Sequence, residues 1–309
     1  VVLMKVLIWG AGGIGCYYAM RLQQAGHQVS MVARGDHLTA LKTAPLRVVH
    51  NDEASTFKFD ALSEQELLNE HDSSDFDLII FAFKSSSSQS VLNDAKAWLQ
   101  KSDVPVLSLQ NGVDNEPLIA EVVGAGRTLG GLAVRIGAHI LEPGVVESRG
   151  PAQVVLGWWQ ANPGQSQIAF SDQLCEQMNE AGIPTRYSDQ IQVELWRKLL
   201  INNGVNALSA LTRLDTGQLT TDPVYTEIVY RLMKEAARAA AADGVEIGLG
   251  DIEDMYALIC NFDPIKTSML VDLEKGRTLE LDAITGAVLS RLSVQQAPVT
   301  ALIQRQLKD

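Results

Sequence analysis

Hydrophobic residues follow two rhythms over the first half of the chain and only one over the second. Residues 77–83, Asp-Leu-Ile-Ile-Phe-Ala-Phe, form a nearly unbroken apolar run, the pattern of a parallel strand buried on both faces. The run recurs at 6–9, 29–33 and 104–109, with a helical stretch at 91–99 before the last. Glycine-interrupted 128–134 and 153–156, behind the turn Gly150-Pro151, predict further strands, and 172–181 predicts a helix that stops at Gly182. From about Gln190 strand patterns cease. Helical spacing then predicts helices over 190–210, 222–243, 251–260, 264–274, 278–293 and 298–307. The expected fold class is α/β: an N-terminal Rossmann-like doubly wound parallel sheet followed by an all-helical C-terminal domain, divided as 1–188 and 189–309.

A short punctuation mark gives the first half a candidate task. Between the strand ending at Trp9 and a helical pattern through Tyr17, Met20 and Leu22 stand Gly10-Ala11-Gly12-Gly13-Ile14-Gly15. G-x-G-x-x-G in a strand-turn-helix setting points to a dinucleotide. Gly10 permits the turn, Gly12 lets backbone approach a pyrophosphate, and Gly15 lets helix pack on strand. The second strand ends in Arg34 where an NAD-selective site usually has a carboxylate. A guanidinium there suits a 2′-phosphate and favours NADP(H); the alternative is a solvated arginine, with Asp36 holding the ribose. Lys84 and the run Gln110-Asn111-Gly112 follow buried strands, at the edge where open parallel sheets bind ligands, although Asn111 beside a glycine also reads as a plain turn. The serines at 85–88 cap the next helix or line the cofactor cleft.

Composition narrows the classes. A net charge of −12 argues against general nucleic-acid binding, and no apolar run reaches membrane-spanning length. Three scattered cysteines fit reduced thiols rather than a disulfide framework, and no His/Cys pair has metal-ligand spacing, so no metal is expected. With the strand pattern starting almost at once and leaving no room for a secretory leader, the expected location is cytoplasmic.

In the second half, Lys198, Asn202 and Asn206 recur every four residues and share one helix face. No formal charge follows Lys198 until Arg213, so this helix is expected to be buried, and its polar residues need partners, of which a ligand is one candidate. The alternative is a surface pair of Glu194 with Lys198. Extending the ladder Ile284, Val288, Leu292 back one turn reaches Glu280, a carboxylate either at a wet helix end or aimed into a cleft. Ser268, Asp272 and Asp282 read as helix-surface residues by the same test.

Together these residues resemble the ketopantoate reductase (2-dehydropantoate 2-reductase) family over nearly the whole chain. The resemblance is carried by Gly10 to Gly15, Arg34-Gly35, Lys84, Gln110-Asn111-Gly112, the block from Glu194 to Asn206, Ser268 to Asp272 and Glu280 to Asp282. It implies NADPH-dependent reduction of a small oxo acid, ketopantoate, to pantoate on the route to coenzyme A. By position, Lys198 would be the general acid and Glu280 would hold the substrate hydroxyl. Asn202, Asn206 and Ser268 would bind substrate, with Asn111 and Lys84 near nicotinamide and substrate. In the broader superfamily helical second domains often pair, so a homodimer is a possible partner arrangement. Ile265 and Thr216 stand where family members commonly have asparagine, Thr285 precedes Gly286 where Asn-Gly is frequent, and Leu279 replaces a threonine. Those departures keep two other readings open: a reductase of a different oxo or hydroxy acid with the same machinery, and an NADPH-binding regulator without turnover.

Overall fold

The computed structural model describes residues 3–261 and 264–308. The chain divides into two compact units, one taking residues up to Gln110 with Asn115–Ile191, the other Asn111–Asp114 with the chain from Gln192 onward.

The first unit runs β1 (Lys5–Trp9), α1 (Gly13–Gln24), β2 (Gln28–Val32), α2 (Gly35–Thr43), β3 (Leu46–His50), β4 (Glu53–Phe57), β5 (Asp60–Leu62) and α3 (Glu64–Glu70). It continues through β6 (Leu78–Phe81), α4 (Ser88–Leu99), β7 (Val106–Ser108), α5 (Asn115–Val123) and β8 (Thr128–Val134). β9 (Gly137–Glu142), β10 (Val145–Arg149), β11 (Gln153–Trp158), α6 (Gln165–Glu180) and β12 (Thr185–Tyr187) complete it. Eight strands form one sheet in the order β12-β11-β8-β7-β6-β1-β2-β5. Its pairings are parallel except β8 with β11, so the expected doubly wound sheet carries a reversed edge of β11 and β12. Period-two alternation explains the unbroken apolar runs. Val6, Ile8, Leu78 and Ile80 enter one core, while Leu7, Trp9, Ile79 and Phe81 enter the core on the opposite face.

A second sheet, of order β4-β3-β10-β9, lies outside the sequence expectation. It packs on α1, where Val48 and Val146 join the core that holds Tyr17 and Tyr18. Its strands escaped local reading because β4 and β9 are mostly exposed or half-exposed, and because β3 finds its parallel partner β10 nearly a hundred positions away.

The second unit is helical: α7 (Ile191–Thr212), α8 (Thr216–Thr221), α9 (Pro223–Ala242), α10 (Leu249–Cys260), α11 (Ser268–Glu274), α12 (Thr285–Leu289) and α13 (Pro298–Lys308). Ala236, Ala239 and Ala240 line the buried face of α9, and a Cβ on Gly204 of α7 would come 2.9 Å from Met233 Cγ. Gly204 therefore lets α7 and α9 approach closely. Buried Asn203 donates to Leu232 O at 2.9 Å and Thr300 Oγ1 at 3.2 Å. Buried Glu235 accepts from the Val299 and Thr300 amides at 3.1 and 2.8 Å and from Thr300 Oγ1 at 2.6 Å, supplying the cap that the start of α13 needs.

Two expected helices are shorter than their patterns: that over 264–274 begins only at Ser268, and that over 278–293 is cut back further. Residues 277–280 are irregular, and Leu281 O collects Gly286 N at 2.8 Å, Thr285 Oγ1 at 2.9 Å and Ile284 N at 3.3 Å. Those bonds close a turn over 281–284, so helix begins only at Thr285 and ends at Leu289. Glu280 thus sits on a loop before α12, not on the first turn of a long helix.

Candidate active site

The glycine turn is held from three sides, all within the first unit. Gly10 N and Ala11 N both donate to Val32 O, at 3.2 and 2.9 Å, tying the turn to the end of β2. Gly10 has φ 113°, and a Cβ there would lie 2.5 Å from Phe83 N, so both conformation and space demand glycine. A Cβ on Gly15 would meet Gly10 O at 2.1 Å, the close helix-on-strand packing expected of the third motif glycine. Gly13 is needed for packing: a Cβ there would strike Ala138 C and His139 N at 2.3 Å, so β9 of the unforeseen sheet requires glycine. Gly12 is the opposite case. Nothing lies within 4 Å of where its Cβ would be, and it caps the N-terminus of α1 without a side-chain hydrogen bond. Open space before unsatisfied helix amides is the cradle a pyrophosphate fits. Ile14, next along, is half-buried.

Arg34 emerges, exposed, two residues past the end of β2 and serves as the N-cap residue of α2, with Gly35 following at φ 55°. His37, on the first turn of α2, anchors this segment. Its Nδ1 accepts from Gly144 N at 3.1 Å and its Nε2 lies 3.6 Å from Cys16 Sγ on α1. Burial pushes the His37 pKa below its ordinary value and pushes the Cys16 thiol far up, so both are neutral packing groups rather than reactive ones.

Past β6, half-buried Lys84 precedes a short 3-10 turn over Ser85–Ser87. Ser87 takes the N-cap position of α4 without a side-chain cap hydrogen bond, and Ser88, which begins the helix, donates its Oγ to Asn115 Oδ1 at 2.8 Å. Gln110 acts as a tie through its Nε2. Its Nε2 donates to Phe83 O at 3.0 Å and Ser88 Oγ at 2.9 Å, binding the loop after β6 to the loop after β7.

In the second unit, Lys198, Asn202 and Asn206 all lie on α7, the first two half-buried and Asn206 6% exposed. The amides of Asn202 and Asn206 have no hydrogen-bonding partner among the described residues. Both side chains stand on the stripe that carries Lys198, where a polar ligand can pair with them. Asn111 Nδ2 donates to Glu280 Oε2 at 3.2 Å, joining two candidates 169 positions apart. Gly112, φ 102°, makes this possible, because a Cβ there would press on Ala283 O at 2.9 Å. Ser268 is exposed on the first turn of α11. Two of the departures from the family pattern meet: Thr216 N donates to Ile265 O at 3.0 Å and Ile265 N to Thr216 Oγ1 at 3.1 Å, with Ile265 52% exposed. Thr285 is fully buried and accepts from Gln304 Nε2 at 2.9 Å. Sequence reading missed Asp114 and Arg291, whose ion pair at 2.6 Å secures the Asn111 segment; no local periodicity links positions so far apart.

No group of three or more His, Cys, Asp or Glu among the described residues could hold a metal ion, and no helix among them is long and apolar enough to cross a membrane.

The chain is similar to known proteins over nearly its whole length. The family model "Ketopantoate reductase PanE/ApbA" matches residues 6–161, and its companion "Ketopantoate reductase PanE/ApbA C terminal" matches 190–308. A 2-dehydropantoate 2-reductase of Pyrococcus horikoshii is 30% identical, covering 99% of this chain and 97% of the relative. That of Mesorhizobium japonicum is 32% identical, covering 98% and 97%. Among solved structures, a ternary complex of D-mandelate dehydrogenase with NADH and anilino(oxo)acetate superposes with TM-score 0.88 at 26% identity, over 99% of this chain and 97% of that one. The 2-dehydropantoate 2-reductase of Geobacter metallireducens follows with TM-score 0.86 at 26% identity, over 98% and 99%.

Proposed function

Because the chain belongs to the ketopantoate reductase family, we propose that it is an oxidoreductase that reduces the keto group of 2-dehydropantoate to pantoate with NADPH, a step toward coenzyme A. The row of Lys198 and the partnerless Asn202 and Asn206 along α7 carries this reading. A nicotinamide cofactor accords with the NADH-bound structural neighbours, and the open cradle at Gly12 fits its pyrophosphate. Arg34, exposed at the β2 end, favours the 2′-phosphate form by bidentate pairing.

When bound, the cofactor supplies the hydride. Reduction of a ketone builds negative charge on its oxygen, and the Lys198 ammonium offsets that charge and donates the proton that makes the alcohol. The Glu280 carboxylate accepts from a substrate hydroxyl while the Asn111 amide holds its other face. Asn202 and Asn206 donate to the substrate's oxygens, with Ser268 adding a hydroxyl. In this reading residues 1–188 bind the dinucleotide and 189–309 bind the acid and carry the proton donor; of these Val1, Val2, Phe262, Asp263 and Asp309 lie outside the described residues. The protein works in the cytoplasm, where Cys16, Cys175 and Cys260 remain free thiols.

NADPH oxidation followed against a panel of 2-oxo acids tests this directly. The highest kcat/KM is expected for 2-dehydropantoate, and KM is expected to be lower for NADPH than for NADH. Replacing Arg34 by Ala should raise KM for NADPH by about tenfold or more while barely changing that for NADH, the loss of one charge-assisted pair. A second reading, reduction of another 2-oxo acid, is favoured by the likeness to D-mandelate dehydrogenase and by the exposed apolar Ile265. A larger kcat/KM for an aromatic or branched oxo acid would select it. Absence of turnover with every acid tested would leave the NADPH-binding regulator.

A further inference from the structure

Arg291, two residues past α12, is 14% exposed and joins four segments of the second unit. It grips Asp243 at the C-terminus of α9 with two bonds, Nε to Oδ1 and Nη2 to Oδ2, each 2.8 Å. Nη2 also reaches Asp114 Oδ1 at 2.6 Å, and Nη1 donates to Ala287 O at 2.9 Å. The guanidinium lies over the Trp196 ring of α7, 5.1 Å from its centre, two residues before Lys198. Burial pulls the Arg291 pKa down, but the hydrogen bonds and charges of Asp243 and Asp114 more than offset this, so the group is held cationic.

Asp243 alone already balances that charge. The second carboxylate calls for another reason, and it sits on the four-residue segment that carries Asn111. That segment touches residues 280–291 at three points: Asn111 on Glu280, Gly112 against Ala283 O, and Asp114 on Arg291. Without Asp114 pinned, one end of a turn with no regular structure is freed, and the amide is no longer aimed at the carboxylate. We propose that Arg291 is a positioning residue of the active site: by holding Asp114 it sets the Asn111 amide on Glu280, and by stacking on Trp196 it fixes the rotation of the helix bearing Lys198. This rests on the reductase reading for the roles of Asn111, Glu280 and Lys198.

The test compares the two carboxylates. Asp114→Asn is expected to lower kcat about 10- to 100-fold, the scale of a sub-ångström to 1 Å misplacement, with KM for NADPH within twofold of wild type. Asp243→Asn, which breaks the tighter grip but leaves the Asn111 segment pinned, is expected to lower Tm and keep kcat within twofold. Arg291→Met should lose at least as much kcat as Asp114→Asn, because it also removes the stack on Trp196, and adding Asp114→Asn to it should cost nothing more. If Arg291→Met does not fold, the Asp114 and Asp243 comparison decides alone. Wild-type kcat in Asp114→Asn, or an equal loss in Asp243→Asn, would overturn the inference. Should the wild type reduce no oxo acid, the function reading fails by itself. The inference is then read from the Asn111 side-chain amide resonance in 1H–15N spectra: it should move in Asp114→Asn and stay in Asp243→Asn, and an unmoved resonance in Asp114→Asn overturns it.

Discussion

Two adjacent glycines in the same turn do different work. Gly12 faces open space and Gly13 faces the backbone of β9. Gly12→Ala should therefore fold with a Tm close to wild type and bind NADPH at least about tenfold more weakly, since a methyl in the cradle displaces a phosphate contact. Gly13→Ala should instead lose stability, with the methyl driven to 2.3 Å from main-chain atoms. Titration of NADPH fluorescence and thermal melts separate the two, and a Gly13→Ala protein as stable as wild type would refute the packing role. Motif spacing made the turn legible, but it could not divide these glycines, because β9 arrives from 125 residues downstream. Lys198→Ala should lower kcat at least about a hundredfold, the usual contribution of a general acid; near-normal turnover would remove the lysine from that role.

At the scale of elements, the buried strands around the glycine turn were readable because both their faces are apolar, and so was the 22-residue helix α7. Glu280 shows where pattern reading stops. Its apolar ladder was real, since Ile284 and Val288 are buried, but the Leu281 carbonyl draws three donors into a turn before the helix can start. The short α8 was unforeseen as well; Asp215 caps it, accepting from Gln218 N at 2.8 Å, and six residues are too few to show a period. Helix ends also carry stability that burial alone does not reveal. Glu235→Ala strips two main-chain amides and a hydroxyl of their acceptor at the start of α13 and should cost about 2–3 kcal/mol in urea unfolding. A cost under about 0.5 kcal/mol would mean water replaces the carboxylate.

Over the whole molecule, pH acts through histidines more than through the −12 net charge. Burial lowers the pKa of His27, His37 and His50 from an ordinary 6.5. A ring nitrogen of each accepts a hydrogen bond: His27 from Met4 N at 3.1 Å, His37 from Gly144 N at 3.1 Å, and His50 from Asn51 Nδ2 at 3.1 Å. The unfolded chain therefore binds protons more readily than the folded one below about pH 6.5. Folding free energy should be flat between pH 7 and about 8 and fall as pH drops through 6.5 toward the depressed folded values. Urea midpoints at pH 7.5 and 5.5 check the sign, and His37→Gln, which removes one titrating group, should flatten the slope.

The four residues from Asn111 to Asp114 belong by their contacts to the helical unit, yet they are strung between β7 and α5 of the other. A gene cut after Ile191 would thus yield a carboxy-terminal fragment with a hole in it. Arg291 would lose one counter-ion and Glu280 its amide donor, and a synthetic peptide spanning the missing turn would be the graft that repairs it.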